Sequence, residues 1–149
     1  MSKIIEVIYK GETNEVIIDD DIELPAKLHK KDNERNYYFM FIKGKKVYLH
    51  RWLVGVTDRR INVDHRNNDK SDNRKCNLRV CTFKENMQNR INKGYYYSKQ
   101  HKRYVAQITV EGKHISLGIH DTTEEAQKAY RKAHVEAFGE FSPYYGGNK

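Results

Sequence analysis

Residues 61–89, INVDHRNNDKSDNRKCNLRVCTFKENMQN, decide how the rest of the chain is read. A short apolar stretch ends in the pair Asp64-His65, a polar run from Arg66 to Cys76 follows, NLRVC begins at Asn77, and TFKE opens a helix. Thr82 and Glu85 stand at the spacing of a capping box, in which the hydroxyl accepts a helical N–H and the carboxylate reaches back to the cap. The expected fold of this segment is strand, loop, strand and helix, a ββα unit, with Asn86 in the second helical turn. Strands this short do not stand alone, so a metal and the flanking segments are expected to help hold them.

Four side chains in this unit carry the chemistry. His65 precedes Asn77 by 12 positions and Asn77 precedes Asn86 by 9. Each residue alone has a plain reading as a turn, loop or solvated helix position. Together they supply what phosphodiester hydrolysis needs, namely oxygen ligands for a hard cation, a base for water, and a group that orients the base. Asp64 and Asn86 offer two oxygens, a sparse set that suits Mg²⁺, with Mn²⁺ the alternative, because such an ion keeps several waters. His65 neighbours Asp64 on a strand and points to the opposite side, so it faces the attacking water as general base. Asn77 bonds to the loop backbone and thereby keeps His65 oriented.

Charge is spread unevenly. Residues 1–45 carry 8 basic and 9 acidic side chains, residues 46–93 carry 12 and 5, and residues 94–149 carry 8 and 6, out of a net charge of +8. The excess of +7 coincides with the motif, which points to nucleic acid as the partner. Cys76 and Cys81, without a second pair, cannot build a zinc knuckle, so no structural zinc is expected. No apolar run approaches membrane-spanning length, and MSKIIEVIYKGE is broken by acidic residues where a signal peptide needs apolar ones. The expectation is a cytoplasmic protein with no membrane partner.

Upstream of the motif, EVIID (15–19) and YYFMFI (37–42) are rich in strand formers, and Lys43-Gly44-Lys45 turns the second into KVYLHRWLVG, giving a small β-hairpin region. Asp19, Asp20 and Asp21 read as a solvated turn. Downstream, RYVAQITV alternates, with Tyr104, Ala106, Ile108 and Val110 on one face and Arg103, Gln107 and Thr109 on the other. After the turn EGK, HISLGI is expected to place Ile115, Leu117 and Ile119 inward and His114 and Ser116 outward. Tyr95, Tyr96 and Tyr97 read as the first strand of this sheet. DTTEEAQKAYRKAHVEAFG is a helix with Thr122 and Glu125 as a second capping box and Gly139 as its stop. The fold class is thus α+β: a ββα core preceded by a β-hairpin region and followed by a three-stranded antiparallel sheet packed on one helix. Domains are expected at 1–45, 46–93 and 94–149.

Residues 47–92, VYLHRWLVGVTDRRINVDHRNNDKSDNRKCNLRVCTFKENMQNRIN, resemble the HNH endonucleases of phages, introns and mobile elements, whose fold is a ββα-metal motif. The resemblance implies that Asp64 and Asn86 are metal ligands, His65 the general base and Asn77 the residue that orients it. The third motif letter is Asn, as in the homing-type branch, rather than His. His50-Arg51 matches an upstream His-Arg pair of that family, with a phosphate contact implied for Arg51; for His50 the alternatives are a catalytic role or packing against Trp52. Residues 94–141 are similar to the APETALA2-type DNA-binding domain, which implies base-reading positions at Gln107, Thr109, His114 and Ser116, with Lys99 and Arg103 nearby. Tyr104 and smaller polar residues replace the Trp and Arg usual there.

The combined expectation is a metal-dependent DNA endonuclease of a phage or bacterial host cell. It would act on double-stranded DNA as a monomer or transient dimer, with one divalent cation per site, and nick one strand per active site. The alternative is a DNA-binding regulator that keeps an inactive nuclease core.

Overall fold

The computed structural model describes residues 1–30 and 36–147, so the expected 1–45 extension includes residues 31–35, which lie outside those described. Contacts gather the chain into two units, Met1–Asn86 and Met87–Lys149. The class is mixed α+β, with several small antiparallel sheets and three α-helices among the described residues.

The first unit begins with a hairpin of β1 (Ser2–Tyr9) and β2 (Glu12–Asp19). A second sheet, in the order β3-β4-β5, is made of His29–Lys30, Tyr38–Ile42 and Lys45–Tyr48. Both hairpins turn on a Lys-Gly pair with positive φ at each residue, 51° and 81° at Lys10-Gly11 and 48° and 74° at Lys43-Gly44. That two-residue turn matches the right-handed twist of the strands it joins. The helix α1 (Leu49–Leu53) follows β5 directly. Val7, Val16, Ile18, Leu28, Tyr38, Met40 and Leu49 form a buried core on which Trp52 and Leu53 pack. Each such side chain contributes roughly 1.5–3 kcal/mol by leaving water. This core draws on residues from both sides of position 45.

The ββα segment completes the first unit. β6 (Asn62–His65) pairs antiparallel with β7 (Leu78–Cys81), and α2 (Phe83–Gln88) comes next. The capping box is formed as its spacing predicts: Glu85 N–H donates to Thr82 Oγ1 at 3.2 Å, and Thr82 N–H donates to Glu85 Oε2 at 2.7 Å. The loop between β6 and β7 lies along the edge of β2. Ile17 N–H donates to Ser71 O and Asn73 N–H to Ile17 O, both at 2.8 Å, while Asp19 Oδ2 accepts from Lys75 N–H at 2.8 Å. Asp19 therefore anchors the loop as well as ending a strand.

In the second unit, β8 (Tyr95–Ser98), β9 (Arg103–Val110) and β10 (Lys113–His120) form a sheet in the order β10-β9-β8. The helix α3 (Thr123–Phe138) is capped by Thr122, which accepts from Glu125 N–H, and ends at Gly139. Ile108, Tyr130 and Tyr144 form its core with Val110, Leu117, Ala133, Val135 and Phe138 packed around them. One expectation needs correction. A register shift between Ser116 and Ile119 carries Ile119 opposite Val105 and leaves His120 opposite Tyr104. Because side chains alternate along a strand, the irregularity flips Ile119 to the face of Val105; Ile115 keeps the face of the buried Ile108, and both isoleucines are 45% exposed. No helix among the described residues is long and apolar enough to cross a membrane.

Candidate active site

Asp64 and His65 end β6 and point to opposite faces of the β6–β7 hairpin, because neighbouring strand residues alternate. Both are buried, His65 completely. On the Asp64 face, the register sets Arg79 directly across from it. Arg79 donates to Asp64 Oδ2 from Nη2 at 2.8 Å and from Nε at 3.2 Å, with both side chains buried. The Cys81 thiol is pushed up to about 11, first by burial and then by the charge of Asp64, with Glu85 of α2 adding to it. Asn86 is half-buried in the second turn of α2.

On the other face, His65 meets a network built by the loop. Asn73, fully buried, donates through Nδ2 to the carbonyls of Lys70 at 2.9 Å and Ser71 at 3.2 Å. Those donations fix its amide orientation, so Oδ1 is the atom that lies 3.2 Å from His65 Nε2. An amide oxygen only accepts, so Nε2 carries the proton and the neutral ring keeps its basic lone pair on Nδ1. Asn77 acts one step away. It accepts from Asn67 N–H at 3.1 Å and donates to Asn67 Oδ1 at 2.9 Å and to Asp72 O at 2.7 Å. Asp72 in turn receives Asn67 and a forked pair of bonds from Arg74 at 2.8 and 2.7 Å, which holds its carboxyl below the usual range. Asn77 thus clamps the loop, and Asn73 touches the imidazole.

Two rings lie beside that imidazole, those of His50 and Tyr37. His50 lies 5.4 Å from His65 between ring centres and stacks on Tyr37 at 4.6 Å. Among the described residues, His50 Nδ1 has no hydrogen-bond partner. Burial lowers His65 to about 4, helped by the Lys70 charge; burial, His65 and the nearby cations lower His50 to about 3. Both rings are neutral at pH 7. Arg51 is bound to its own chain, donating to the carbonyls of Ile61 at 2.8 Å and Asp58 at 2.6 Å, so it braces the loop that leads into β6.

In the second unit, Gln107, Thr109, His114 and Ser116 form a block on the exposed face of the sheet, with Thr109 opposite His114 and Gln107 opposite Ser116. Thr109 Oγ1 and His114 Nδ1 are hydrogen-bonded at 2.9 Å. Arg103 shares that strand and pairs with Asp121 at 2.9 Å, and Lys99 follows the end of β8. Beside the block, Tyr96, Val105 and Ile119 form an apolar row across three strands.

Sequence reasoning missed Asn73, Arg79 and Asp72. Arg79 had a signal, since an antiparallel hairpin that pairs His65 with Leu78 necessarily pairs Asp64 with Arg79; Asn73 had none, because its partner depends on the loop path. Cys76 is exposed and Cys81 buried, and they form no disulfide. Among the described residues, no group of three or more His, Cys, Asp or Glu side chains is placed to hold a metal ion. The chain matches no protein-family model, no curated protein and no solved structure.

Proposed function

We propose that this chain is a metal-dependent DNA endonuclease of the HNH type, with residues 61–89 as its ββα-metal core and the sheet of the second unit as its DNA reader. The observation that carries the reading is the neutral His65, held by Asn73 in a tautomer that leaves Nδ1 basic, on the strand that also bears Asp64. Asp64 and Asn86 are hard oxygen donors, and a divalent ion such as Mg²⁺ needs few protein ligands. When bound there, the ion supplies charge neutralisation at the scissile phosphate. His65 Nδ1 takes a proton from water as the water oxygen bonds to phosphorus, the P–O3′ bond breaks, and the departing 3′ oxygen takes a proton from solvent water, giving a 3′-hydroxyl and a 5′-phosphate. Burial makes His65 a weak base by itself, and a phosphate anion drawn beside it favours the imidazolium form and raises its proton affinity. One site per chain gives a nick, and two chains a double-strand break. The proposed setting is a phage or its bacterial host cell.

One observation favours a second reading, a DNA-binding regulator with an inactive core. The Asp64 carboxylate already accepts two bonds from Arg79, and His65 exposes no surface. Conversion of supercoiled plasmid to nicked or linear DNA with Mg²⁺ or Mn²⁺, for the native chain and His65→Ala, separates the two.

A further inference from the structure

A cleft of about 950 Å³ in the first unit is lined by Lys45, Lys46, Arg51 and Arg59, with Tyr48 as one wall. No acidic side chain is among its described lining residues. The nearest carboxylate in sequence, Asp58, is engaged chiefly by Arg60 through a forked pair of bonds and offsets only part of the Arg51 charge. Lys45, Lys46 and Arg59 are exposed. Lys46 is held in place by aromatic rings, its Nζ lying 3.7 Å from the centre of Phe39 and 5.4 Å from that of Tyr48. A cation on an aromatic shelf is positioned before any ligand arrives, which lowers the entropic cost of an ionic contact.

Tyr48 links the cleft to the candidate active site. Its ring lies 5.9 Å from His50 and 6.0 Å from Tyr37, and His50 lies 5.4 Å from His65. We propose that this cleft binds the phosphodiester backbone of the DNA substrate and delivers it to the histidine side of the ββα unit. The inference rests on the nuclease reading and deepens it by naming where the backbone runs. Charge complementarity selects the occupant: four cations around one cleft, with no acidic side chain among its described lining residues, suit a repeating anion.

The test uses the full chain and a fluorescent 30-base-pair random-sequence duplex in EDTA, with anisotropy followed from 50 to 300 mM KCl. Each lost phosphate contact flattens the plot of log affinity against log salt by about 0.9. The variant Lys45→Gln/Lys46→Gln/Arg59→Gln is expected to flatten it by about 2 to 3. The charge-matched control Lys27→Gln/Lys128→Gln/Lys132→Gln, at exposed positions that do not line the cleft, is expected to leave it unchanged. Restoring cations as Lys45→Arg/Lys46→Arg/Arg59→Lys is expected to restore the slope, which separates lost contacts from a damaged fold. Equal flattening in cleft and control variants, no flattening in either, or no rescue overturns the cleft assignment while DNA binding stands. Native protein with no salt-dependent binding overturns the DNA reading and the cleft together.

Discussion

Replacing Arg79 by Met tests the most unusual contact at the candidate site. The Asp64 and Arg79 side chains are only 3% and 5% exposed, and both donated bonds fall on Oδ2. Removing the guanidinium leaves a carboxylate in a water-excluded place without its main partner, which costs about 3–5 kcal/mol. Against a total stability of roughly 5–15 kcal/mol, that is a large fraction. Removing the carboxylate as well, in Asp64→Leu/Arg79→Met, returns most of the loss, because two apolar groups replace a buried pair at little net cost. If Asp64 is a metal ligand, the single variant regains stability from divalent cation in proportion to RT ln(1 + [L]/Kd), about 2.7 kcal/mol at a hundredfold excess over Kd. The double variant, without the ligand, does not. The assay is urea unfolding followed by the fluorescence of Trp52, the one tryptophan of the chain, which packs against the core of the first unit. A loss below about 1 kcal/mol in Arg79→Met refutes the buried-pair reasoning. Equal stabilisation of both variants by Mg²⁺ or Mn²⁺ refutes Asp64 as the ligand.

Other outcomes follow from the same geometry. Asn73→Ala removes the His65 partner and two donations to loop carbonyls, so Trp52-monitored stability is expected to fall by about 1–3 kcal/mol and nicking by about 10–100-fold; unchanged nicking would dismiss Asn73 as a positioning residue. His134 is buried, hydrogen-bonded to Ser142 at 2.9 Å, and lowered by burial to about 4 from 6.5. The folded state thus refuses a proton that the unfolded chain accepts, so stability is full above pH 6.5 and falls as pH drops toward 4, by on the order of 2–3 kcal/mol; His134→Gln should flatten that part of the melting-against-pH curve. Gly94 has φ +71°, and an added Cβ would lie 1.9 Å from Cγ of Tyr130. Gly94→Ala is expected to cost about 2–4 kcal/mol in a circular-dichroism melt, and a native-like melting temperature would contradict the close approach of Tyr130.

Local signals were readable where one short-range rule governed the outcome. The Thr82–Glu85 and Thr122–Glu125 boxes set both helix starts, and the Lys43-Gly44 and Glu111-Gly112 pairs set two hairpins. β1 was harder to see, since Ile4 and Ile8 lie on its exposed side and blur the alternation that Ile5 and Val7 would otherwise show. The turn of Ile119 to the outer face depends on a one-residue irregularity around Gly118, which no periodicity reveals. At the candidate site, Asp64, His65 and Asn77 could be singled out by type and spacing. What surrounds them could not: the Arg79 contact is a matter of strand register, and the Asn73 contact arises because the loop is pinned to the edge of β2. The burial of His65 and its ring contacts with His50 and Tyr37 come from packing between segments far apart in the chain.

Plasmid nicking by the purified chain in the presence of Mg²⁺ or Mn²⁺ tests the central claim most directly. The account predicts divalent-dependent conversion of supercoiled to nicked circles, lost on chelation and reduced about 10²–10⁴-fold in His65→Ala. Plasmid left equally uncut by the native chain and by His65→Ala across divalent ions would contradict it.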